Sequence, residues 1–218
     1  MPKKSRRGSK SYPRRSEPSL ERAAGNKPVG QTILIVCQGT NTEPSYFRNF
    51  RLSFVTIKIK AKAFDPLRLV EWAEEQSVED VYDQVWCVFD KDDFQEFDNA
   101  ISKAASLNFG VAYSNQAFEY WLILHFNDHQ GGPIDRKTYN KLINDYLEKF
   151  KVRYDGNDSK TITSDFFNVL NANNRVDLAI KRAKKILEQH ESKNNHPSKA
   201  ESSTTVFKLV EELLKYQN

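Results

Sequence analysis

The sequence predicts an α/β fold, in which a mostly parallel β-sheet is flanked by helices and followed by a C-terminal helical region. Two short apolar runs, Thr32–Cys37 and Val85–Phe89, are rich in β-branched and aromatic residues and indicate strands buried on both faces. Strand and helix patterns alternate as far as Phe126, which favours parallel strands joined by crossover helices. Beyond Gly131-Gly132-Pro133 the apolar spacing is helical, with almost no strand signal.

In chain order, the first half is expected to read β-α-β-α-β-α-β-α. The expected strands are 32–37, 55–61, 85–89 and 110–113, and the expected helices are 42–50, 65–77, 94–107 and 115–126. Thr42 is the expected N-cap of the first helix. Residues 55–61 alternate apolar side chains with Thr and Lys, which predicts a strand with one solvent-facing side near the sheet edge. Four more helices are expected near 136–150, 163–172, 175–190 and 203–216.

The chain divides by composition into three parts. Residues 1–30 are expected to form a basic disordered arm, 31–132 the α/β catalytic core, and 133–218 a helical region packed on that core. The arm has nine Lys and Arg against two Glu, so it carries +7 and the rest of the chain −3 of the total of +4. A basic arm predicts contact with nucleic-acid phosphates, and a solvated tail is the alternative.

Several classes of protein lack support in this sequence. No apolar stretch approaches the ~20 residues that cross a bilayer, and the basic N-terminus lacks the apolar segment of a secretory signal. We therefore expect a cytoplasmic protein without a membrane partner. Cys37 and Cys87 fall in buried strands and are expected to be core residues rather than a disulfide or zinc pair. The chain has no phosphate-binding glycine loop, dinucleotide fingerprint or serine-hydrolase elbow.

Polar residues follow three of the predicted strands where each strand ends. They are Gln38, Gly39 and Glu43 after the first, Asp90, Asp92 and Asp93 after the third, and Ser114, Asn115 and Glu119 after the fourth. In an open α/β sheet the ligand crevice lies beyond the carboxyl ends of the strands, so we expect these side chains to meet there. Carboxylate oxygens suit Mg²⁺ or Mn²⁺, which predicts a divalent-metal site. The alternative is an Asp-rich polar turn that ends a strand and caps a helix.

Three further residues each have two interpretations. Glu119 lies among apolar neighbours, where a carboxylate is costly unless it is paired or bound to metal, and the alternative is the polar side of its helix. His125 is either a metal ligand or general base, or a hydrogen-bonded core histidine, and we favour the core interpretation. Lys160 either contacts a phosphate or lies on a solvated surface.

Three motifs resemble the RloB family, namely Ile33–Phe47, Val85–Asp93 and Ser114–Phe126. The closing segment 195–214 is also similar to that family, so the resemblance covers nearly the whole chain from Ile33. It implies the toprim-like catalytic fold that primases, topoisomerases and overcoming-lysogenization-defect nucleases share. It also implies a gene near restriction–modification loci of bacteria or archaea, an ATPase partner and a role in phage defence.

The resemblance further implies a divalent-metal site for phosphoryl transfer. Asp90 and Asp92 would be its metal-binding pair, with Asp93 and Glu43 available for a second ion. One position departs from the toprim pattern, which has a glutamate directly before the turn glycine, where this chain has Gln38. Glutamine keeps the shape but loses the charge and the titratable proton, so it cannot act as an acid or base. Four explanations are open. Glu43 takes over part of the acid–base role, or the site works with a single metal ion. Otherwise the chain is inactive, or it is a substituted variant of an active protein.

Together these features predict a Mg²⁺- or Mn²⁺-dependent nuclease that cuts DNA or RNA in an abortive-infection type of phage defence. Gln38, in place of the usual glutamate, would weaken its activity. Glu119 would support the metal ligands, and Ser114, Asn115 and Lys160 would contact phosphate oxygens. The alternative is an inactive toprim-like adaptor that binds nucleic acid or an ATPase partner. The C-terminal helices offer a surface for a homodimer or a partner protein. A topoisomerase- or primase-like enzyme is less favoured, because the chain lacks room for a strand-passage domain.

Overall fold

The computed structural model describes residues 30–129 and 134–217. Within them, five strands form one sheet: β1 (Gln31–Cys37), β2 (Val55–Ala61), β3 (Gln84–Asp90), β4 (Gly110–Asn115) and β5 (Ser203–Thr204). The order is β2-β1-β3-β4-β5, in which β1 to β4 run parallel to one another and β5 is antiparallel to β4. The predicted α/β class with a mostly parallel sheet is confirmed, as is the position of β2 at its edge.

The described part of the chain holds eight α-helices on the two faces of this sheet. They are α1 (Thr42–Arg48), α2 (Pro66–Ser77), α3 (Phe97–Ser106), α4 (Glu119–Leu124), α5 (Tyr139–Leu147), α6 (Ser164–Asn171), α7 (Arg175–Glu191) and α8 (Val206–Leu214). Alternate residues of β1 face opposite sides, because Leu34 and Val36 pack with α2 and α3, whereas Ile33 and Ile35 pack with the other helices. Both cysteines are buried and unpaired, as predicted.

The register of the strands brings the carboxyl ends of β1, β3 and β4 to one edge of the sheet. Cys37, the last residue of β1, is paired with Val88 of β3, and Asp90, the last residue of β3, is paired with Ser114 of β4. The Gln38 N–H continues this alignment by donating to the Val88 carbonyl oxygen at 2.9 Å. The residues that come after β1 and β3 therefore start from neighbouring positions.

Several helix ends differ from their predicted positions. The helix expected from 94 begins at Phe97, and the helix expected from 115 begins at Glu119, since β4 continues to Asn115. The prediction that Thr42 is an N-cap is wrong, because Asn41 occupies that position. The Thr42 hydroxyl is buried and contacts the hydroxyl of Tyr154, at 3.3 Å, instead of a helix amide.

The region 203–216, predicted as a helix, begins with a strand. Ser203 and Thr204 form β5, and their side chains are buried. The Thr204 hydroxyl donates to the Tyr113 carbonyl oxygen at 2.9 Å, and the Tyr113 N–H donates to the Thr205 hydroxyl at 2.9 Å. Because these hydroxyl groups form hydrogen bonds with β4, the segment does not join the helix, and α8 begins only at Val206.

One of the two hydrophobic clusters of the described residues contains side chains from both the α/β half and the C-terminal helices. Ile33 of β1 and Leu213 of α8 belong to the same buried cluster. The predicted basic arm lies outside the described residues, apart from Gly30. Within the described ranges, no helix combines the length and the apolar character that crossing a bilayer requires.

Candidate functional site

A cleft of about 610 Å³ opens at the carboxyl edge of the sheet. Its walls come from the loop after β1, the end of β3, the segment before α2 and the start of α4, and the C-terminal region adds two basic residues. Of the residues predicted from the sequence, those lining the cleft are Gln38, Gly39, Glu43, Asp90, Asp92, Glu119 and Lys160. Four carboxylates from three separate segments of the predicted site therefore share one cavity.

Glu43 is buried in the first turn of α1 and is held by the glycine turn that precedes it. One carboxylate oxygen, Oε1, accepts a hydrogen bond from the Gly39 N–H at 3.0 Å. A Cβ at position 39 would collide with the Glu43 carboxylate, so glycine is required for this close approach. Burial, and then the charge of Glu119, raise the pKa of Glu43 to about 7.

Asp90 ends β3 and lies near two other carboxylates, those of Glu43 and Glu119. Its carboxylate accepts a hydrogen bond from the Phe118 N–H, which directs it toward the start of α4. Burial, followed by the charges of Glu43 and Glu119, raises the pKa of Asp90 well above its ordinary range. The cleft thus concentrates negative charge in a poorly hydrated place, and a bound cation would relieve that repulsion.

Gln38 bridges two backbone segments at the floor of the cleft. Its side-chain oxygen accepts the Asp90 N–H at 2.8 Å, and its side-chain nitrogen donates to the Phe64 carbonyl oxygen at 2.9 Å. The amide therefore uses both a donor and an acceptor, which an ionised glutamate cannot supply. In this chain Gln38 is a structural clamp on the backbone of Asp90.

Glu119 opens α4 and is fixed by a residue that the sequence did not reveal. The Tyr154 hydroxyl donates to Glu119 Oε1 at 2.8 Å. Tyr154 is buried, and its hydroxyl also lies against Thr42 in the first turn of α1. The C-terminal region thus holds a carboxylate of the cleft, through a tyrosine 35 residues away in sequence. Neither spacing nor composition could have signalled this contact.

Asp92 and Asp93 diverge at the turn after β3. Asp92 has a φ of 41°, and its carboxylate forms an ion pair with Arg136 at the cleft. Asp93 is exposed and does not line the cleft. Because the turn directs consecutive side chains to different sides, the second-ion role expected for Asp93 is not part of the function proposed below.

Ser114 and Asn115 also lie outside the cleft, which corrects the expectation that they contact phosphate. The Ser114 hydroxyl is 3.1 Å from that of Thr204, and the Asn115 side chain donates to the Pro197 carbonyl oxygen at 3.0 Å. Both are buried, because β5 and the segment before it cover the end of β4. The third candidate, Lys160, is exposed and lines the cleft.

His125 is a core residue, as favoured from the sequence. It is almost fully buried, and its Nδ1 lies 2.9 Å from the Trp121 carbonyl oxygen. Burial lowers the pKa of His125 to about 3, so the imidazole is neutral. It does not line the cleft.

The donor set of the cleft fits a hard divalent cation better than a structural metal. Among the residues described, no group of three or more His, Cys, Asp and Glu is positioned to hold a metal ion. Mg²⁺ commonly binds through one or two carboxylates, completed by waters and substrate phosphates. The pKa values of Glu43 and Asp90 are raised by burial and then by neighbouring carboxylates, and no sulfur or imidazole lines the cavity, which matches that mode of binding.

The stability of the metal-free protein is expected to depend on Glu43. Because the folded state holds the Glu43 proton up to about pH 7, and the unfolded chain releases it near 4.5, stability falls as the pH rises between these values. In EDTA, Glu43→Gln is therefore expected to raise the free energy of unfolding by about 1–3 kcal/mol at pH 8, with little change at pH 4.5. Urea denaturation measures this, with exposed Glu148→Gln as the control. A Glu43→Gln protein less stable than the wild type at pH 8 would contradict the assignment.

The fold and the cleft define an α/β protein with a carboxylate-lined cavity at the carboxyl edge of a mostly parallel sheet. The sequence model of the family described as RloB-like protein matches residues 33–213, and the chain belongs to this family. Searches of curated proteins and of solved structures found no match. The family is thereby confirmed, whereas the toprim-like character of the sheet stays a prediction.

Proposed function

We propose that this protein is a Mg²⁺- or Mn²⁺-dependent nuclease that hydrolyses phosphodiester bonds of DNA or RNA in phage defence. The observation that carries the proposal is the convergence of Glu43, Asp90, Asp92 and Glu119 in one cleft at the carboxyl edge of the sheet. Arg136 and Lys160 lie beside them and provide positive charge for phosphate oxygens. The size of the cleft, about 610 Å³, suits part of a nucleotide chain.

Asp90 and Asp92 are the residues that would hold the ion, with Glu119 as a further oxygen donor. When bound, the ion would supply the positive charge that polarises the scissile phosphate. Hydrolysis joins a water oxygen to phosphorus, breaks the bond from phosphorus to the leaving oxygen, and delivers a proton to that oxygen. Gln38 takes no part in proton transfer, because its amide is engaged at both ends.

Glu43 is the group of this chain best suited to accept the proton of the attacking water. In the cation-free cleft burial raises the pKa of Glu43 to about 7. A divalent ion held by Asp90 and Asp92 would lower that pKa, so Glu43 would be ionised near neutral pH and able to accept a proton. Its Oε1 accepts the Gly39 N–H, which orients the carboxylate in the cleft. Tyr154 keeps the neighbouring Glu119 in position by donating to its Oε1.

An adaptor that binds nucleic acid or an ATPase partner without cutting is the second candidate. Two observations favour it: the position before Gly39 holds an amide, and the described residues include no three-ligand metal group. Such a protein would bind nucleic acid with the same affinity in EDTA as in Mg²⁺. The nuclease proposal predicts a metal-dependent reaction product instead.

The test is an incubation of the full chain with plasmid DNA, single-stranded DNA and tRNA, in Mn²⁺, in Mg²⁺ and in EDTA. We expect cleavage of at least one substrate with either ion, and none in EDTA. The assay is repeated with the ATPase that the family resemblance implies as a partner. If no substrate is cut in any metal with the ATPase present, the nuclease proposal fails and the adaptor remains.

A further inference from the structure

The sequence did not single out Arg136, yet it is the residue that neutralises Asp92. It lies on a short 3₁₀ turn, Arg136–Thr138, directly before α5. Its guanidinium forms an ion pair with Asp92, and its charge also lowers the pKa of Asp90 against the larger effects that raise it. Arg136 therefore pairs with Asp92 and acts electrostatically on Asp90, the two aspartates that the proposed function assigns to the divalent ion.

The backbone that carries Arg136 is held by local hydrogen bonds, and its side chain is half-exposed. The Asp135 carboxylate accepts the Lys137 N–H at 2.9 Å, and the Asp135 carbonyl oxygen accepts the Thr138 hydroxyl at 2.7 Å. The Arg136 side chain is 50% exposed and that of Asp92 is 33% exposed. A fixed base and a long solvated side chain allow the guanidinium to move between partners inside the cleft.

The energy of the ion pair permits such an exchange. Pairs between partly exposed side chains contribute about 0–1 kcal/mol, because water screens them and both side chains lose freedom. A divalent cation interacts with a carboxylate more strongly than a half-exposed guanidinium does, since it carries twice the charge on a compact centre. A guanidinium displaced from Asp92 is in turn well matched to phosphate, which accepts two parallel N–H bonds.

We propose that Arg136 is a substrate-binding residue, which occupies Asp92 in the cation-free cleft and binds the phosphate oxygens of the nucleic acid once a divalent cation takes Asp92. This inference rests on the proposed function and names the group that recognises the substrate. This exchange of Arg136 between Asp92 and phosphate makes the binding of the cation and of the nucleic acid cooperative. By linkage, each ligand strengthens the other by the same factor. Lys160, whose charge acts on Glu43, supplies a second contact on another wall of the cleft.

Binding measurements without cleavage test this proposal. Mn²⁺ affinity is measured by calorimetry, and the affinity for a fluorescent oligodeoxythymidylate and an oligouridylate is measured in Ca²⁺ and in EDTA. Arg136→Ala is expected to bind Mn²⁺ about 3- to 10-fold more tightly and the oligonucleotides about 10-fold more weakly. Lys137→Ala is the matched control, because it removes the same charge one residue along and does not line the cleft. Arg136→Lys should keep part of the oligonucleotide affinity.

A second pair of variants tests the Arg136–Asp92 ion pair by changing the aspartate. Asp92→Asn releases Arg136 and is expected to tighten oligonucleotide binding in EDTA more than Asp93→Asn, which makes the same charge change on an exposed side chain. The proposal is overturned if Arg136→Ala matches Lys137→Ala in Mn²⁺ affinity, or if Asp92→Asn matches Asp93→Asn in EDTA. Failure of the nuclease proposal appears separately, as an absence of cleavage by a wild-type chain that still shows these binding differences.

Discussion

Asp90→Asn is expected to lower metal-dependent cleavage about 100- to 1,000-fold, since the ion's charge on the scissile phosphate contributes several kcal/mol to catalysis. Asparagine has the shape of aspartate and can still accept the Phe118 N–H, so the turn after β3 should keep its structure. It cannot supply the negative charge that holds a hard cation. The measurement is the rate of multiple-turnover cleavage at saturating Mn²⁺, together with the efficiency of phage plating on cells that carry the gene and the ATPase that the family resemblance implies.

Asp93→Asn is the control for this experiment. It removes the same charge from the same turn, but Asp93 is exposed and does not line the cleft. We expect its rate to stay close to that of the wild type. Loss of activity through misfolding can be told apart, because Asp90→Asn removes a carboxylate with a raised pKa and should make the metal-free protein more stable at pH 8. Equal cleavage by Asp90→Asn and the wild type would exclude this cleft as the site of the reaction.

Gln38→Glu is expected to destabilise the protein at neutral pH without increasing cleavage. Ionised glutamate has no hydrogen to donate to the Phe64 carbonyl oxygen, and it adds a charge beside Asp90. An unmet bond of this kind costs about 1–3 kcal/mol. A protonated glutamate restores one donor and one acceptor. The loss of unfolding free energy relative to the wild type should therefore be small at pH 5 and should grow toward pH 8. The reason is that the folded state favours the protonated glutamate and loses stability as that proton leaves.

Urea denaturation at both pH values measures this effect, and Gln95→Glu is the control for an added charge at an exposed position near the same turn. Gln38→Leu should lose stability equally at pH 5 and pH 8, because it cannot make either bond. The clamp interpretation is wrong if Gln38→Glu is as stable as the wild type at pH 8. A Gln38→Glu protein that cleaves faster would mean that the position retains the acid–base role of the toprim pattern.

The sheet and the carboxylate edge could be predicted from the sequence because both depend on local patterns. The apolar runs at 32–37 and 85–89 predict buried strands, and parallel neighbours place the residues after each strand at one edge of the sheet. The partners of the carboxylates could not be predicted in this way. Tyr154 reaches Glu119, and Arg136 reaches Asp92, only because the C-terminal helices fold back on the sheet.

The expectation that Ser114 and Asn115 contact phosphate missed a tertiary contact of the same kind. Ser114 and Asn115 end a strand at the expected edge, but the hydroxyl-rich segment that includes Thr204 pairs with β4 and buries them. Polar residues at a strand end carry no mark that distinguishes a ligand contact from a tertiary hydrogen bond. Asp93 was likewise indistinguishable from Asp92 in sequence, and only the backbone turn separates them.

The bond from Tyr154 to Glu119 has a consequence for how this protein can be dissected. A truncated form that stopped after the α/β half would keep every acidic residue of the cleft and would still lose the phenol that orients one of them. It would also lose Arg136 and Lys160. The smallest autonomous catalytic fragment is therefore expected to extend past Lys160, and for fold integrity through β5 and α8, which complete the border of the sheet and its core.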